Sequence, residues 1–491
     1  VTRHTPPFLA DGRPFKVSAV LFDFDGTLTQ PGDLDFETIR MAVDCPAGVG
    51  LLEYLDGIAD PSERRRKEAV LEDAEAAAAG KGRLNRGALE LVALLRRHRV
   101  PMAVITRNRL ASVEQTMASL AGIDKSDFLR VVTRDMGLGP KPQPDGVLHL
   151  LSEMGLRAEE TLLIGDHAYD IEAGRAAGTM TMFLRNDSHD VAGGDTHGGA
   201  HDAASEFQGV ETRPGSGAES ETERTAGADF SVSDLHEAAR VIRYGLPLPL
   251  GKLPAELLEE SIEAIDVVDP AVLVSARLGE DAAAVDIRGE DVLVLASDPI
   301  TLASDSPARY AVLANANDVA TSGALPRWML TTLLFPPGTT ASQVAAMVRD
   351  IQESCRPWGI SLCGGHTEIT DAVSRPLISG TMAGTAPGGR VLDKRNIREG
   401  DRILLTKGVA VEGTGLIARE YGDQLAAGGM SAAEIAEAAA FLDRMSILPE
   451  ARLALEYAGV TALHDVTEGG LATAVSELGA PRGPPRRRRQ G

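Results

Sequence analysis

Asp23 and Asp25 stand one residue apart where an apolar run ends and a Gly-Thr turn begins, in the stretch VLFDFDGTLT. Two carboxylates this close repel each other unless a cation lies between them. Oxygen ligands at a strand end, beside the N–H groups of a turn, suit Mg2+. With that ion in place, one carboxylate can attack phosphorus to give an aspartyl phosphate while its neighbour protonates the leaving group. The plainer alternative is a surface turn with two solvated acids, and three further stretches weigh against it. ITRN puts Thr106 at the end of a second apolar run, where a hydroxyl can hold a phosphoryl oxygen. GPKPQPD supplies Lys141, a point charge able to steady both a phosphoryl group and a charged nucleophile. LLIGDHAYDIEAGRAAG ends a third run with Asp166 and Asp170, four residues apart, which can complete a metal site.

The segments between these residues predict the scaffold that holds them. From about 16 to 185, short apolar runs such as VSAVLFDFD, VPMAVITRN and TLLIGDH alternate with helical stretches such as RGALELVALLRRHR and DGVLHLLSEMGL. That alternation reads as an α/β domain, a parallel sheet with helices on both faces. Ligands collect at the carboxyl ends of such strands. Residues 33–84 interrupt the pattern with charged, helix-forming sequence, expected to be a helical cap over the first strand's end. Residues 186–227 are rich in Gly, Ser, Thr, Asp and Glu without hydrophobic periodicity and read as a disordered insertion. His189, His197 and His201 fall within it, with no partner carboxylates at fixed spacing. ADFSVSDLHEAARVIRYG then resumes a strand-and-helix unit, so the first domain is expected over 16–245, after a tail at 1–15, with LPLPLGKLP as linker.

The four elements, in this order, resemble the haloacid dehalogenase-like (HAD) hydrolase superfamily over about 16–185 and 228–245. The resemblance implies a Rossmann-like sheet, Asp23 as nucleophile and Asp25 as general acid and base. It assigns Thr106 and Lys141 to phosphate, and Asp23, Asp25, Asp166 and Asp170 to an Mg2+ site, with Asp170 supporting the metal from behind. The DxD spacing fits a phosphatase rather than the dehalogenase branch. GDHAYDIEAGRAAG is most similar to the phosphoglycolate-phosphatase-like group, in which a helical cap selects a small phosphate ester.

The second half is richer in glycine. LGEDAAAVDI sets Glu280 and Asp281 before small residues, SDPIT brings Asp298 to a strand end, and NANDVATSGALP carries Asn317 and Asp318 on a helix. CGGHTEIT, with Gly364, Gly365, His366, Thr367 and Glu368, reads either as glycine backbone that can approach phosphates or as a plain turn with an exposed histidine. DVLVLASDPIT, RWMLTTLLFPP, PLISGTMAGTA and DRILLTKG are expected strands; SPARYAVLANANDVATSGA and TTASQVAAMVRDIQESCRPWG are expected helices, an α+β domain. Acids spread through such a fold suit Mg2+ ions bridging to nucleotide phosphates.

Together these pieces resemble the aminoimidazole-ribonucleotide (AIR) synthase superfamily of ATP-using enzymes, from about Gly251 to Gly479. GKLPAELLEESI, the NANDVA helix and HDVTEGGLA point to its hydrogenase-maturation branch. The resemblance implies a PurM-like ATP-binding half at 246–389 and a second half at 390–479. Asp281, Asp298, Asn317 and Asp318 would serve nucleotide and metal, with Glu368 and Asp465 as further candidates. It also implies a homodimer formed by joining sheets. Two departures stand out: no cysteine follows Cys363, so chemistry on a C-terminal cysteine is not expected, and the second half is short before the Arg-rich 480–491, which reads as a truncated or frame-shifted end.

Composition limits the remaining classes. A net charge of -22 disfavours nonspecific binding to nucleic acid or an anionic membrane, and no apolar run is long enough to span a bilayer. Cys45, Cys355 and Cys363 form no CxxC, as expected for reduced thiols in a cytoplasmic protein. The leading expectation is an Mg2+-dependent phosphomonoesterase fused to an ATP-binding module. The alternatives are an ATP-dependent maturation enzyme with an accessory phosphatase, and a noncatalytic regulator that binds phosphoryl ligands.

Overall fold

The computed structural model describes residues 6–30, 36–46, 49–79, 82–186, 227–263, 265–275, 283–287, 289, 292–303, 305–386, 390–467 and 469–479. The chain divides into two compact units, one from Pro7 to Leu246 and one from Pro247 onward. Asp281, most of the low-complexity stretch and the Arg-rich end lie outside the described residues.

The first unit is built on six strands: β1 (Ala19–Phe22), β2 (Met102–Ile105), β3 (Arg130–Val132), β4 (Thr161–Gly165), β5 (Met180–Leu184) and β6 (Phe230–Val232). They run in the order β3-β2-β1-β4-β5-β6, every neighbouring pair parallel. Each residue of β1, β2, β4 and β5 is buried. The strands therefore read as unbroken apolar runs: helices cover both faces, so neither face can be polar. On one face Leu21, Ala103, Ile105 and Leu163 pack with Val147 and Leu150 from the helix Asp145–Met154.

Register decides where the chemistry sits. Phe22 lies opposite Val104 on one side and Ile164 on the other, so β1, β2 and β4 end at the same height. The chain runs outward from β1 through β2 to β3, then returns to place β4 on the other side of β1. That reversal opens a crevice at the carboxyl ends, where Asp23, Thr106 and Asp166 emerge.

The segment between β1 and β2 holds the expected helices, α1 (Phe36–Ala42), α2 (Leu51–Asp56) and α3 (Pro61–Ala79). They close around Ile39, Leu55 and Leu71 as a small core of their own. The two limbs joining this cap to the sheet zip together. Thr29 and Leu84 form an antiparallel bridge, Gln30 N–H donates to the Arg83 carbonyl at 2.8 Å, and Asn85 N–H donates to the Leu28 carbonyl at 2.9 Å.

The second unit carries a five-stranded mixed sheet in the order β10-β13-β11-β12-β7. Its members are β7 (Gly251–Lys252), β10 (Val292–Ile300), β11 (Leu325–Phe335), β12 (Ser361–Ile369) and β13 (Leu377–Ala386); β8 (Val272–Val274) and β9 (Ala284–Val285) pair separately. The helix Pro307–Thr321 packs on β10 and β13, covering one face. On the opposite face Ser297 and Leu330 both pair with Thr381, which aligns an apolar row along β10 and β11. There Leu293, Leu295 and Leu330 are 41%, 64% and 40% exposed.

Two expectations for this unit are decided by the backbone. Of the two readings of CGGHTEIT, the plain turn is excluded: residues 363–369 lie inside β12, whose backbone pairs with β11 through a register shift at Met329 and Leu330. Gly365 is required there because a Cβ would stand 1.9 Å from the Thr331 carbonyl oxygen. DRILLTKG is not a strand. No described strand lies beside it to complete a ladder, and Leu404 is 87% exposed. Among the described residues no helix is long and apolar enough to cross a membrane.

Candidate functional site

The site forms where β1, β2 and β4 end level. Asp23 follows β1 directly and is buried; its N–H donates to the Ile164 carbonyl at 2.9 Å, which locks the end of β1 to β4. Gly26 turns the chain with φ +82°, a left-handed conformation favoured by glycine. It also leaves room: a Cβ at Gly26 would stand 2.1 Å from Asp166 Oδ2. At the end of β4, Gly165 plays the matching part, because a Cβ there would meet Asp170 Cγ at 2.2 Å.

Asp23, Asp166 and Asp170 each present a carboxylate oxygen, and these oxygens lie within 4.8 Å of one another. Lys141 is the counter-charge. It is 4% exposed, and its ammonium donates to Asp23 Oδ1, to Asp170 Oδ1 at 2.5 Å and to the Ile105 carbonyl at 3.0 Å. Asp170 is further fixed by the His167 N–H, 3.1 Å from its Oδ2. Burial pushes the Asp23 carboxyl well above its usual range, against the opposing pull of Lys141. Burial and the neighbouring Asp170 push Asp166 up to about 7. Burial pulls the Lys141 ammonium down, but Asp170 and Asp23 outweigh it and hold the group charged. One lysine thus faces three crowded acids, and the all-oxygen donor set is of the kind Mg2+ takes.

Asp25 points elsewhere. Its side chain is exposed and accepts from Thr106 Oγ1 at 3.4 Å and Asn108 Nδ2 at 3.3 Å, outside the three-carboxylate cluster. Thr106 Oγ1 in turn accepts the Asn108 N–H at 3.0 Å. Asn108 was legible only as part of ITRN, two residues after the threonine, and sequence reasoning passed over it.

The cap meets the sheet's loops through charge pairs that sequence reasoning also missed. Arg107 and Arg109 follow Thr106, and Arg134 follows β3. They pair with Glu53 at 2.6 Å, Glu72 at 2.5 Å and Glu75 at 2.5 Å, all on cap helices α2 and α3. Glu75 is 4% exposed; burial raises its carboxyl and Arg134 opposes the shift. Beside this seam lies a cavity of about 450 Å³, lined in part by Leu55, Leu71, Arg109, Arg134 and Leu138. The Arg107 guanidinium lies 5.0 Å from the Tyr169 ring centroid, which ties the loop after β2 to the helix after β4.

In the second unit the expected nucleotide residues are spread out. Asp298 is exposed on β10, and Asn315 holds its backbone on both sides, accepting its N–H at 2.9 Å and donating to its carbonyl at 3.2 Å. Asn317 is buried with both ends of its amide engaged, by the Met445 carbonyl at 3.1 Å and the Ile447 N–H at 3.0 Å. Asp318, one position on, is half-buried. Glu368 lies 3.4 Å from His366 on β12, and Asp465 lies 3.5 Å from His464. Among the described residues, no group of three metal-type side chains gathers in this unit.

These two architectures match known families. The family described as haloacid dehalogenase-like hydrolase matches residues 17–178; the N-terminal and C-terminal domains of AIR synthase related protein match 279–386 and 398–483. The chain belongs to the haloacid dehalogenase-like hydrolases through its first unit and carries AIR synthase related domains in its second. Among its relatives is "Uncharacterized hydrolase YOR131C" of Saccharomyces cerevisiae, 32% identical over 173 residues, 35% of this chain and 78% of that protein. The second unit is similar to "Putative hydrogenase expression/formation protein MJ0676" of Methanocaldococcus jannaschii, 24% identical over 233 residues, 46% of this chain and 67% of that protein. It is also similar to carbamoyl dehydratase HypE of Escherichia coli, 26% identical over 185 residues, 37% of this chain and 52% of that protein. The chain thus spans about half the length of the latter enzyme.

Replacing Gly26 with alanine is expected to force Asp166 aside and to strain the turn. Calorimetric titration with Mg2+ should show affinity at least about tenfold weaker in Gly26→Ala than in the native chain. Equal affinity would show that the turn and Asp166 are not sterically coupled.

Proposed function

We propose that the first unit is an Mg2+-dependent phosphomonoesterase acting through an aspartyl phosphate. The observation that carries this reading is the Asp23, Asp166, Asp170 cluster with Lys141 bonded to two of its members. Asp23 and Asp166, backed by Asp170, would hold the ion, which supplies charge neutralisation for the phosphate ester. A free Asp23 oxygen attacks phosphorus, a new O–P bond forms, and the bond to the ester oxygen breaks. Asp25 delivers its proton to the departing alkoxide. In the second half-reaction Asp25 takes a proton from water, the water oxygen attacks phosphorus, and Asp23 leaves as a carboxylate with inorganic phosphate as product. Thr106 and Lys141 hold phosphoryl oxygens throughout, and the cap excludes bulk water from the crevice.

A panel of phosphomonoesters, assayed for phosphate release with and without Mg2+, tests this directly. Release should depend on the metal and fall by at least about three orders of magnitude in Asp23→Asn, a near-isosteric change that removes the nucleophile. Turnover retained in that variant would refute the mechanism.

For the second unit we propose Mg2+-ATP binding, with Asp298 and Asp318 among the residues that serve the nucleotide. The motif order and the similarity to hydrogenase-maturation proteins support it. The isolated segment 246–491 should gain thermal stability with Mg2+-ATP and not with Mg2+ alone; an unmoved midpoint counts against nucleotide binding.

The same unit is proposed to form a homodimer through its uncovered sheet face. Among the described residues no helix covers this apolar face, and a second copy would supply a matching surface about a two-fold axis. Leu295→Lys should convert a dimer to monomer in sedimentation analysis, whereas a native chain that already sediments as monomer would refute the dimer. A cytoplasmic location belongs to the same proposal, since Cys45, Cys355 and Cys363 are all free thiols.

A further inference from the structure

Two asparagines far apart in sequence meet behind the catalytic turn. Asn186, just past the end of β5, donates from Nδ2 to the Gly26 carbonyl at 2.8 Å. Asn85 shares its two amide protons among the Gly26 carbonyl at 3.0 Å, the Thr27 carbonyl at 3.1 Å and Asn186 Oδ1 at 2.8 Å. Asn85 Oδ1 is held by the Arg86 N–H at 2.8 Å, which fixes the orientation of the amide. The Gly26 carbonyl thus accepts two side-chain hydrogen bonds, and the peptide joining the left-handed Gly26 to Thr27 is gripped from one side.

That grip falls at a sensitive place. Gly26 abuts Asp166, Thr27 Oγ1 lies 3.5 Å from Asp166 Oδ1, and Asp25 immediately precedes the gripped peptide. Asn85 is also part of the cap's returning limb, through its N–H bond to the Leu28 carbonyl and the neighbouring Thr29 and Leu84 bridge. Asn85 therefore joins the limb of the cap through its main chain and the turn that carries Asp25 through its side chain.

We propose that Asn85, assisted by Asn186, is a positioning residue. It holds the Gly26–Thr27 peptide so that Asp25 and Asp166 keep their places, and it transmits displacement of the cap limbs to the catalytic turn. The catalytic consequence rests on the phosphatase reading above; the mechanical one does not. A turn held only by its own backbone samples more conformations, and a misplacement on the order of 1 Å can cost about a hundredfold in rate.

The test compares the native chain with Asn85→Ala, Asn85→Asp and Asn186→Ala. Asn85→Asp keeps the shape but sets a carboxylate against two carbonyl oxygens and an amide oxygen, so it should be the most damaging. Hydrogen exchange read by mass spectrometry should be at least about tenfold faster in peptides covering residues 23–29 of the Asn85 variants, with peptides from β2 and β4 unchanged. With the ester the native chain hydrolyses best, kcat should fall about ten- to a hundredfold while KM stays within about threefold. The stabilisation conferred by Mg2+ with beryllofluoride should shrink in parallel. Exchange at 23–29 equal to that of the native chain overturns the proposal, as does exchange accelerated throughout the first unit, which would mark a merely structural residue. If no ester is hydrolysed by the native chain, the phosphatase reading fails, and the exchange measurement still decides whether Asn85 holds the turn.

Discussion

Crowding of negative charge at the ends of parallel strands is the constraint on which the first unit depends. Asp23, Asp166 and Asp170 converge within 4.8 Å, and the described counter-charge bonded to two of them is Lys141. Such an arrangement costs folding free energy through both desolvation and repulsion. It persists because the neighbouring structure over-determines it. Level strand ends fix where each acid leaves the sheet. Gly26 and Gly165 remove the Cβ atoms that would collide with Asp166 and Asp170. The helix that begins after His167 presents the N–H that holds Asp170. A site strained in this way suits a ligand that brings positive charge, and the same strain would be pointless in a solvated surface turn.

The cap obeys a different logic. Its own core of Ile39, Leu55 and Leu71 is small, and its seam with the sheet's loops carries three arginine–glutamate pairs. An apolar seam would bind the cap firmly and nearly irreversibly. Charged pairs that water can replace on opening cost little to break when exposed, and only the Glu75 pair is deeply buried. The zipped limbs, 28–30 and 83–85, hold the cap to the sheet by backbone hydrogen bonds instead.

Much of this was legible in sequence for an identifiable reason. Asp23, Thr106 and Asp166 each sit next to a strand buried on both faces, so an unbroken apolar run ends abruptly in a polar residue. Asn85, Asn108, Asn186 and Asn315 carry no such mark. The first three lie in loops, which have no periodicity, with partners up to 160 residues away, as in the Asn186 bond to Gly26; Asn315 is on a helix, where its bond to the Asp298 backbone follows no local spacing. CGGHTEIT was ambiguous for a related reason: glycines signal turns, yet here they admit close backbone approach inside a strand. DRILLTKG misled in the opposite sense, since a short apolar run such as Ile403 to Leu405 forms a strand only where a neighbouring strand offers hydrogen bonds. Charge pairs such as Arg134 with Glu75 are invisible for want of any local spacing rule.

The two units differ in how much of a site one chain brings together. In the first, a single sheet collects Asp23, Thr106 and Asp166 at one edge, because parallel strands point their carboxyl ends the same way. In the second, β10, β11 and β12 run the same way, but β13 and β11 stand between Asp298 on β10 and Glu368 on β12, so the strand order holds these two acids apart. Asn315 and Asn317 show what the helix Pro307–Thr321 does instead. Their amides fasten the Asp298 backbone and the 445–447 turn to one helix, which brings distant segments to a common frame. In this unit asparagine amides on one helix, rather than level strand ends, do the joining.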